Sequence, residues 1–304
     1  MERSVPAGGP GLATGAPPAP AARRRSRLSV AYLLLLPGGI WLLLFYVIPT
    51  LSMLSVSLQE GSLEQGYHLT GNFGVYAEVL ARNDTQIIRS ILYGLITTVA
   101  TLLIAYPLAY TIAFHGGRFK NALLFLVIMP FFVSFIIRTI QWKFVLADEG
   151  IILGTLKDLG ILGQGFHVLG ENVAVLGGLI YNFLPFMALP LYVALEKMDK
   201  SLLDAADDLY SNRVVAFFRV TFPLSLPGVF AGSLLTFIPA VGDFINPEFL
   251  GSPETTMIGQ VIQFEYLQNN DYPEASALSF VLMAAILIGV FVYARLLGTE
   301  ELTG

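Results

Sequence analysis

Six apolar runs, at 28–57, 87–114, 121–145, 174–195, 229–249 and 276–297, constrain this chain more than any other feature. Each reaches the roughly 20 residues that a helix needs to cross the hydrocarbon core of a bilayer. Backbone N–H and C=O groups in hydrocarbon must be satisfied within the protein, so runs of this length are expected to fold as transmembrane helices. The predicted architecture is an all-α integral membrane bundle of six helices. Pro37, Pro49, Pro107, Pro130, Pro185, Pro190, Pro239 and Pro247 fall inside these runs. They are read as kinks, tolerated because neighbouring helices satisfy the freed carbonyls, except that Pro239 and Pro247, with Gly242, surround Asp243 and are expected to break the helix there.

The chain is 55% hydrophobic and 13% charged, too apolar for a soluble domain. It has no cysteine, so disulfides and thiolate metal sites are excluded. Residues 1–27 form an Ala/Pro/Gly-rich segment ending in RRRSR, and are expected to be a disordered tail because they hold too little apolar surface to offset ordering entropy. The run that follows is about twice the 7–15 residues of a secretory signal's apolar region and lacks a small-x-small cleavage site, so it is read as an uncleaved first span. Residues 28–86 are taken as that span and an external loop, 87–297 as a core of five spans, and 298–304 as the C-terminus. Most of the 17 Lys and Arg residues fall on the side that carries RRRSR, among them Arg118, Lys120, Lys197, Lys200, Arg213, Arg219 and Arg295. The positive-inside rule then predicts cytoplasmic N and C termini. The acidic residues gather in the opposite loops, among them Glu248, Glu254, Glu265, Asp271 and Glu274, where their field would attract cations.

One cytoplasmic connection is unlike the rest. SLLDAADDLYSNRVVAFFRVTFPLSLPG, residues 201–228, lies between two spans. Ser201 is placed to cap a helix with Asp204 three residues on. Leu202, Leu203, Ala206, Leu209 and Tyr210 share an apolar arc of about 120°, with Asp204, Asp207 and Asp208 opposite. Ser211-Asn212 reads as a turn and 213–222 as a second short helix, which Pro223 and Pro227 are expected to end for want of an amide. Gly228 is expected to let the chain bend into the next span. An acidic polar face suits a soluble partner better than an anionic lipid surface.

DAADDL followed by PLSLPG resembles the EAA loop of binding-protein-dependent ABC importer permeases. The resemblance implies a type I, MetI-like permease in the bacterial cytoplasmic (inner) membrane. It implies that residues 199–228 form a coupling loop docked on an ATPase. Asp204 takes the acidic lead, Ala205 and Ala206 the small pair, Asp208 a neighbouring acidic position and Leu209 the apolar one. Pro223, Pro227 and Gly228 match the closing elbow. The chain departs from the pattern in having Asp for the lead Glu and Tyr210 where the family usually has glycine. MPFFVSFIIRTIQWKFVLADEGIIL (129–153) and IPAVGDFINPEFLGSPETTMIGQVIQFEYLQNNDYPEASAL (238–278) are similar to the first permease subunit of spermidine/putrescine importers. Implied partners are a second homologous permease, an ATPase dimer, an extracytoplasmic substrate-binding protein and the lipid bilayer; no nucleic acid is expected.

Nothing in the chain supports catalysis. It has no GxxxxGK[ST] phosphate loop, so ATP and Mg are expected on the partner ATPase and no cofactor on this chain. His68, His115 and His167 fall in separate loops. For the solute path, Asp243 is the one acid inside a predicted span, and intramembrane ionisable groups are functional candidates by default. Arg138 lies at similar depth, so Asp243 pairs with it, meets the solute, or does both. Trp142, Tyr181 and Phe244 are candidate ring faces for a cationic solute. Three alternatives stay open: the same importer class with another small solute, an ion-gradient-driven transporter, and a non-transporting scaffold.

Overall fold

The computed structural model describes residues 24–209 and 212–296, apart from the side chains of residues 24–31 and of Lys200, Asp204, Ala206, Asp207, Asp208, Arg213 and Leu296. The predicted C-terminus at 298–304 and residues 1–23 of the predicted tail lie outside the described residues. The chain divides into two compact units, Met1–Ser52 and Met53–Gly304.

In the first unit α1 (Arg24–Leu42) starts inside the stretch assigned to the tail and passes through a π turn, Leu43–Val47, into α2 (Ile48–Ser57), whose residues from Met53 on are counted in the second. The π turn contains Phe45, whose carbonyl meets the ring of Pro49 in a regular α-helix; the widened turn relieves that clash.

The second unit adds a feature absent from the all-α expectation: strands β1 (Gln59–Ser62) and β2 (Gly66–Leu69) pair antiparallel, with Gln59 opposite Leu69 and Ser62 opposite Gly66. Gly61, at φ 142°, is required there because a Cβ would strike the Gly66 carbonyl. The chain continues through α3 (Gly74–Arg82) and α4 (Asp84–Tyr110), then a π turn at Thr111–His115. After α4 come α5 (Lys120–Ile128), α6 (Phe135–Val145), the short α7 (Leu153–Asp158) and α8 (Asn172–Glu196). The remainder is α9 (Lys200–Leu209), α10 (Arg213–Ala216), α11 (Phe222–Val241), α12 (Ile245–Leu250), α13 (Ile258–Leu267) and α14 (Tyr272–Leu296).

Among the described residues, five helical stretches are long and apolar enough to cross a membrane: Tyr32–Ser57, Asp84–His115, Asn172–Glu196, Val214–Val241 and Tyr272–Arg295. The predicted third span is not one continuous helix. Gly117–Phe132 and Phe135–Val145 meet at 93° and make a sixth span only as a bent pair. Pro130 supplies no amide to the helical ladder and lies within a 3-10 turn, Met129–Phe132, after which Val133 and Ser134 adopt ψ of 137° and 136°. The fifth span at 229–249 is interrupted around Asp243, as expected from Pro239, Gly242 and Pro247: its helix ends at Val241, and α12 is a separate short element.

α4, α8 and α11 form the packed centre, and glycines let their backbones approach. A Cβ on Gly228 would stand 2.5 Å from the Ala194 Cβ and 2.8 Å from the Pro190 carbonyl oxygen; one on Gly232 would stand 2.8 Å from the Met187 sulfur. Gly228 is therefore a helix contact inside continuous α11 and not the expected bend. Ala105, Ala109, Met187, Leu191 and Val229 fill the contact at one end of the bundle, and Val175, Leu179, Phe183 and Ala240 fill it at the other. In the connection between α6 and α8, Asp148 accepts from Lys157 Nζ at 2.9 Å and meets His167 Nδ1 at 2.7 Å. The bonds from Lys157 and then His167 hold its carboxyl below the usual carboxylate range.

Candidate functional site

The α9–α10 hairpin joins the C-terminal end of α8 to the start of α11. Its cap is Asp199 and not the predicted Ser201: the Ser201 N–H donates to the Asp199 carboxylate at 2.9 Å. A carboxylate also complements the positive end of the helix dipole, which a hydroxyl cannot do. The bonds from Ser201 hold the Asp199 carboxyl below its ordinary value. Tyr210 and Ser211 of the predicted turn lie outside the described residues. Asn212 caps α10, its side-chain oxygen accepting from the Val214 N–H at 2.9 Å.

Pro223 and Pro227 do not end the second helix. α10 continues through a π turn, Phe217–Thr221, into α11, so Pro223 lies inside one continuous helix. The π turn contains Arg219, four residues before Pro223, as in the arrangement around Pro49. The ring of Phe217 lies edge-on to Tyr106 at 5.3 Å and Tyr106 shares a 2.8 Å hydrogen bond with Ser225, which fastens the hairpin base to α4. The tip is different: Leu202 is 49% exposed, Leu209 is 75% exposed and Ala205 is exposed. The predicted Asp204, Ala206 and Asp208 have side chains outside the described set, while Pro227 is exposed and Gly228 buried. The aromatic base escaped the sequence reading; Phe217-Phe218 and Phe222 within a polar connection were its signal.

At the other end of α11, Asp243 sits in the break before α12. Its Oδ1 accepts from the Ile245 and Asn246 amides at 2.7 and 2.9 Å, and its Oδ2 from Asn246 Nδ2 at 2.7 Å. Asn246 Oδ1 accepts from Asn182 Nδ2 at 3.0 Å, and the same amide nitrogen reaches Thr139 Oγ1 at 3.1 Å. Asn182, Asn246 and Thr139 are fully buried. This network joins α12, α8 and α6, and Gly178 makes room for it: a Cβ there would lie 2.6 Å from Asn246 Oδ1. Sequence reasoning found Asp243 and missed the other three; a lone Asn182 in an otherwise apolar span was the available signal.

No ion pair joins Asp243 to Arg138, contrary to the expected pairing, because the carboxylate is already held by three local donors. Arg138 is 7% exposed, with its guanidinium 5.6 Å from the Phe135 ring centre and 6.0 Å from that of Phe131. Its Nε and Nη1 have no hydrogen-bond partner. Arg138, Trp142 and Tyr181 line one cavity of about 250 Å³ together with Val133, Gln141 and Val145. Trp142 and Tyr181 meet edge to face at 5.2 Å. Asp243 and the half-exposed Phe244 are not part of that lining, so the structure gathers three of the five residues singled out for the solute path. Among the described residues, no group of three or more His, Asp or Glu could hold a metal ion.

A family model described as "Binding-protein-dependent transport system inner membrane component" matches residues 73–298. The spermidine/putrescine transport system permease protein PotB of Haemophilus influenzae is 38% identical, over 84% of this chain and 90% of its own length. PotB of Escherichia coli is 34% identical, over 84% of this chain and 93% of its own length. Among solved structures, a chain of a bacterial ABC transporter involved in the import of the acidic polysaccharide alginate superposes with a TM-score of 0.65. At 18% identity, over 90% of this chain and 96% of that one, the likeness is one of fold.

Proposed function

The chain belongs to the binding-protein-dependent transport system inner membrane components, multi-pass proteins of the inner membrane, and from that premise we propose that it is the permease subunit of an ATP-driven importer of spermidine- and putrescine-like polyamines. The hairpin carries the coupling part of this reading. A short helix with Leu202 and Leu209 exposed, held on a fixed aromatic base, offers an ATPase something to grip and a rigid path into α11. The substrate class follows the names of the relatives.

In this reading the N and C termini and the hairpin are cytoplasmic. A second homologous permease completes the pore, an ATPase dimer binds ATP and Mg, and a binding protein delivers solute to the opposite face. Glu248, Glu254, Glu265, Asp271 and Glu274 draw the polycation to that face. The exposed ring of Phe244 and the paired rings of Trp142 and Tyr181 line its path by cation–π contact. Asp243 shapes the helix break, because its oxygens are committed to α12. Transport proceeds by alternating access: ATPase closure pulls the hairpin and opens the bundle outward, and hydrolysis returns it inward. Coupling between ATPase and solute sites is reciprocal for binding, so loaded binding protein stimulates hydrolysis.

Radiolabelled spermidine uptake into proteoliposomes bearing the complete complex tests the reading. Accumulation that needs both ATP and the binding protein is expected. Uptake that needs neither, or none for any polyamine with an active ATPase, would remove the polyamine-importer assignment.

A further inference from the structure

We propose that the Arg138 cavity receives a carboxylate side chain of the second permease, so that a buried ion pair is completed only when the two membrane subunits assemble. The proposal rests on the functional reading for the existence of that subunit. A guanidinium stays charged under all physiological conditions, and a buried charge is retained when it is paired. Arg138 is buried and bounded on one side by the rings of Phe131 and Phe135, yet Nε and Nη1 donate to nothing.

The described part of this chain does not supply the anion. Asp243 is held by Ile245 and Asn246, Glu196 pairs with Lys120, Asp148 with Lys157 and His167, and Glu274 with Arg82. Residues 24–52 contain no Asp or Glu. The other residues lining the cavity, Val133, Gln141, Trp142, Val145 and Tyr181, carry no formal charge that could neutralise the guanidinium.

Depth limits the outside sources. Thr139, the next residue along α6, is bonded to Asn182, ten residues into α8. At 1.5 Å per residue that is about 15 Å from the helix end. A hydrocarbon core of about 30 Å places this level near its middle, out of reach of lipid phosphates. A polyamine carries charge of the same sign as Arg138, and is repelled until the guanidinium is neutralised. Two sources of a carboxylate remain at this depth, a neighbouring membrane subunit and an anionic solute, and the proposed solute is a cation. Ile136, Ile137 and Phe144 also leave α6 an exposed apolar surface for the neighbouring subunit. With the pair formed, Trp142 and Tyr181 face a neutralised cavity.

The test uses the assembled complex carrying Arg138→Lys, treated with the membrane-permeant dicyclohexylcarbodiimide, which joins an amine to an adjacent carboxylate as an amide. Peptide mass spectrometry then locates the adduct. The expected product links position 138 to an Asp or Glu of the second permease, and Arg138→Gln is expected to lower retention of that subunit about tenfold while Arg138→Lys retains it. An adduct within this chain, or none in a complex that contains the second permease, overturns the ion-pair assignment alone. If the unmodified complex holds no second permease, the functional reading falls and this proposal with it. Co-purification is therefore measured first. A second possibility, that the anion belongs to the solute, is excluded by the adduct. It is favoured, against the proposal, if the adduct is missing and an anionic solute protects Arg138→Cys from thiol reagents.

Discussion

Asn246 is the residue at which three elements meet. It donates to Asp243, accepts from Asn182, and stands 3.5 Å from Thr139 Oγ1. Replacing it with alanine strips the Asp243 carboxylate of a donor and leaves the Asn182 amide without one of its acceptors. Orphaning buried polar groups costs about 1–3 kcal/mol each, and interhelical hydrogen bonds in membranes fall at or below the low end of that range. Asn246→Ala is therefore expected to destabilise the protein by about 1–2 kcal/mol, read as a lower midpoint of thermal unfolding in detergent. Asp148 predicts a pH effect. Its folded carboxyl titrates below the unfolded one, so its contribution is present above the usual Asp value of about 3.9 and is lost as pH falls through the depressed value. Hydrogen-exchange protection of 146–160 should hold from neutral pH to about pH 5 and drop below about pH 4. Asp148→Asn should lower it already at neutral pH. Residues of this kind were half legible in the sequence. Asp243 stood out because a charge in an apolar run is conspicuous, whereas Asn182 and Asn246 are uncharged and their value comes from partners far away in sequence.

α8 and α11 show what the sequence reveals about elements and what it hides. Hydropathy finds such helices readily, because their length and apolar content are local properties. Their ends and interruptions depend on how the chain accommodates proline. Pro223 and Pro227 looked like stops, yet a π turn before Pro223 lets the helix run on for the length of the membrane. Pro130, in contrast, does fall at a break, and the 93° turn after it was not visible in the uninterrupted apolar run at 121–145. The hairpin's first helix was legible in the sequence, while its aromatic base on Tyr106 required the fold. Gly228 is the clearest case of a right residue given a wrong role. Because its missing Cβ admits Ala194 and Pro190, Gly228→Leu should overpack the α8–α11 contact by about 1–3 kcal/mol. Gly232→Val should do the same against Met187, and Gly177→Ala, with nothing within 4 Å of the added carbon, should not. Thermal unfolding of the three variants side by side checks the contrast.

At the scale of the molecule, the described residues show a membrane bundle whose two candidate sites lie at opposite ends of α11. The hairpin precedes that helix, and the Asp243 break follows it. A continuous helix runs between them, with Gly228 and Gly232 keeping it tight against α8, and in the proposed reading it is the mechanical link from partner to solute path. Family and membrane placement were within reach of the sequence because the EAA-like loop and the apolar runs are contiguous in it. The residues proposed to meet the solute were less so, since they are spread over α6, α8 and the α11–α12 break. The measurement that bears most directly on the central claim is ATP hydrolysis by the reconstituted complex, with and without solute-loaded binding protein, for the variant Ala205→Trp/Leu209→Glu. Both positions are exposed on α9, so the substitutions alter what the hairpin presents without disturbing its base. If the hairpin transmits the partner's work, stimulation by loaded binding protein falls about tenfold or more while the two permeases still assemble. Stimulation at the unmodified level, with uptake intact, would contradict the account.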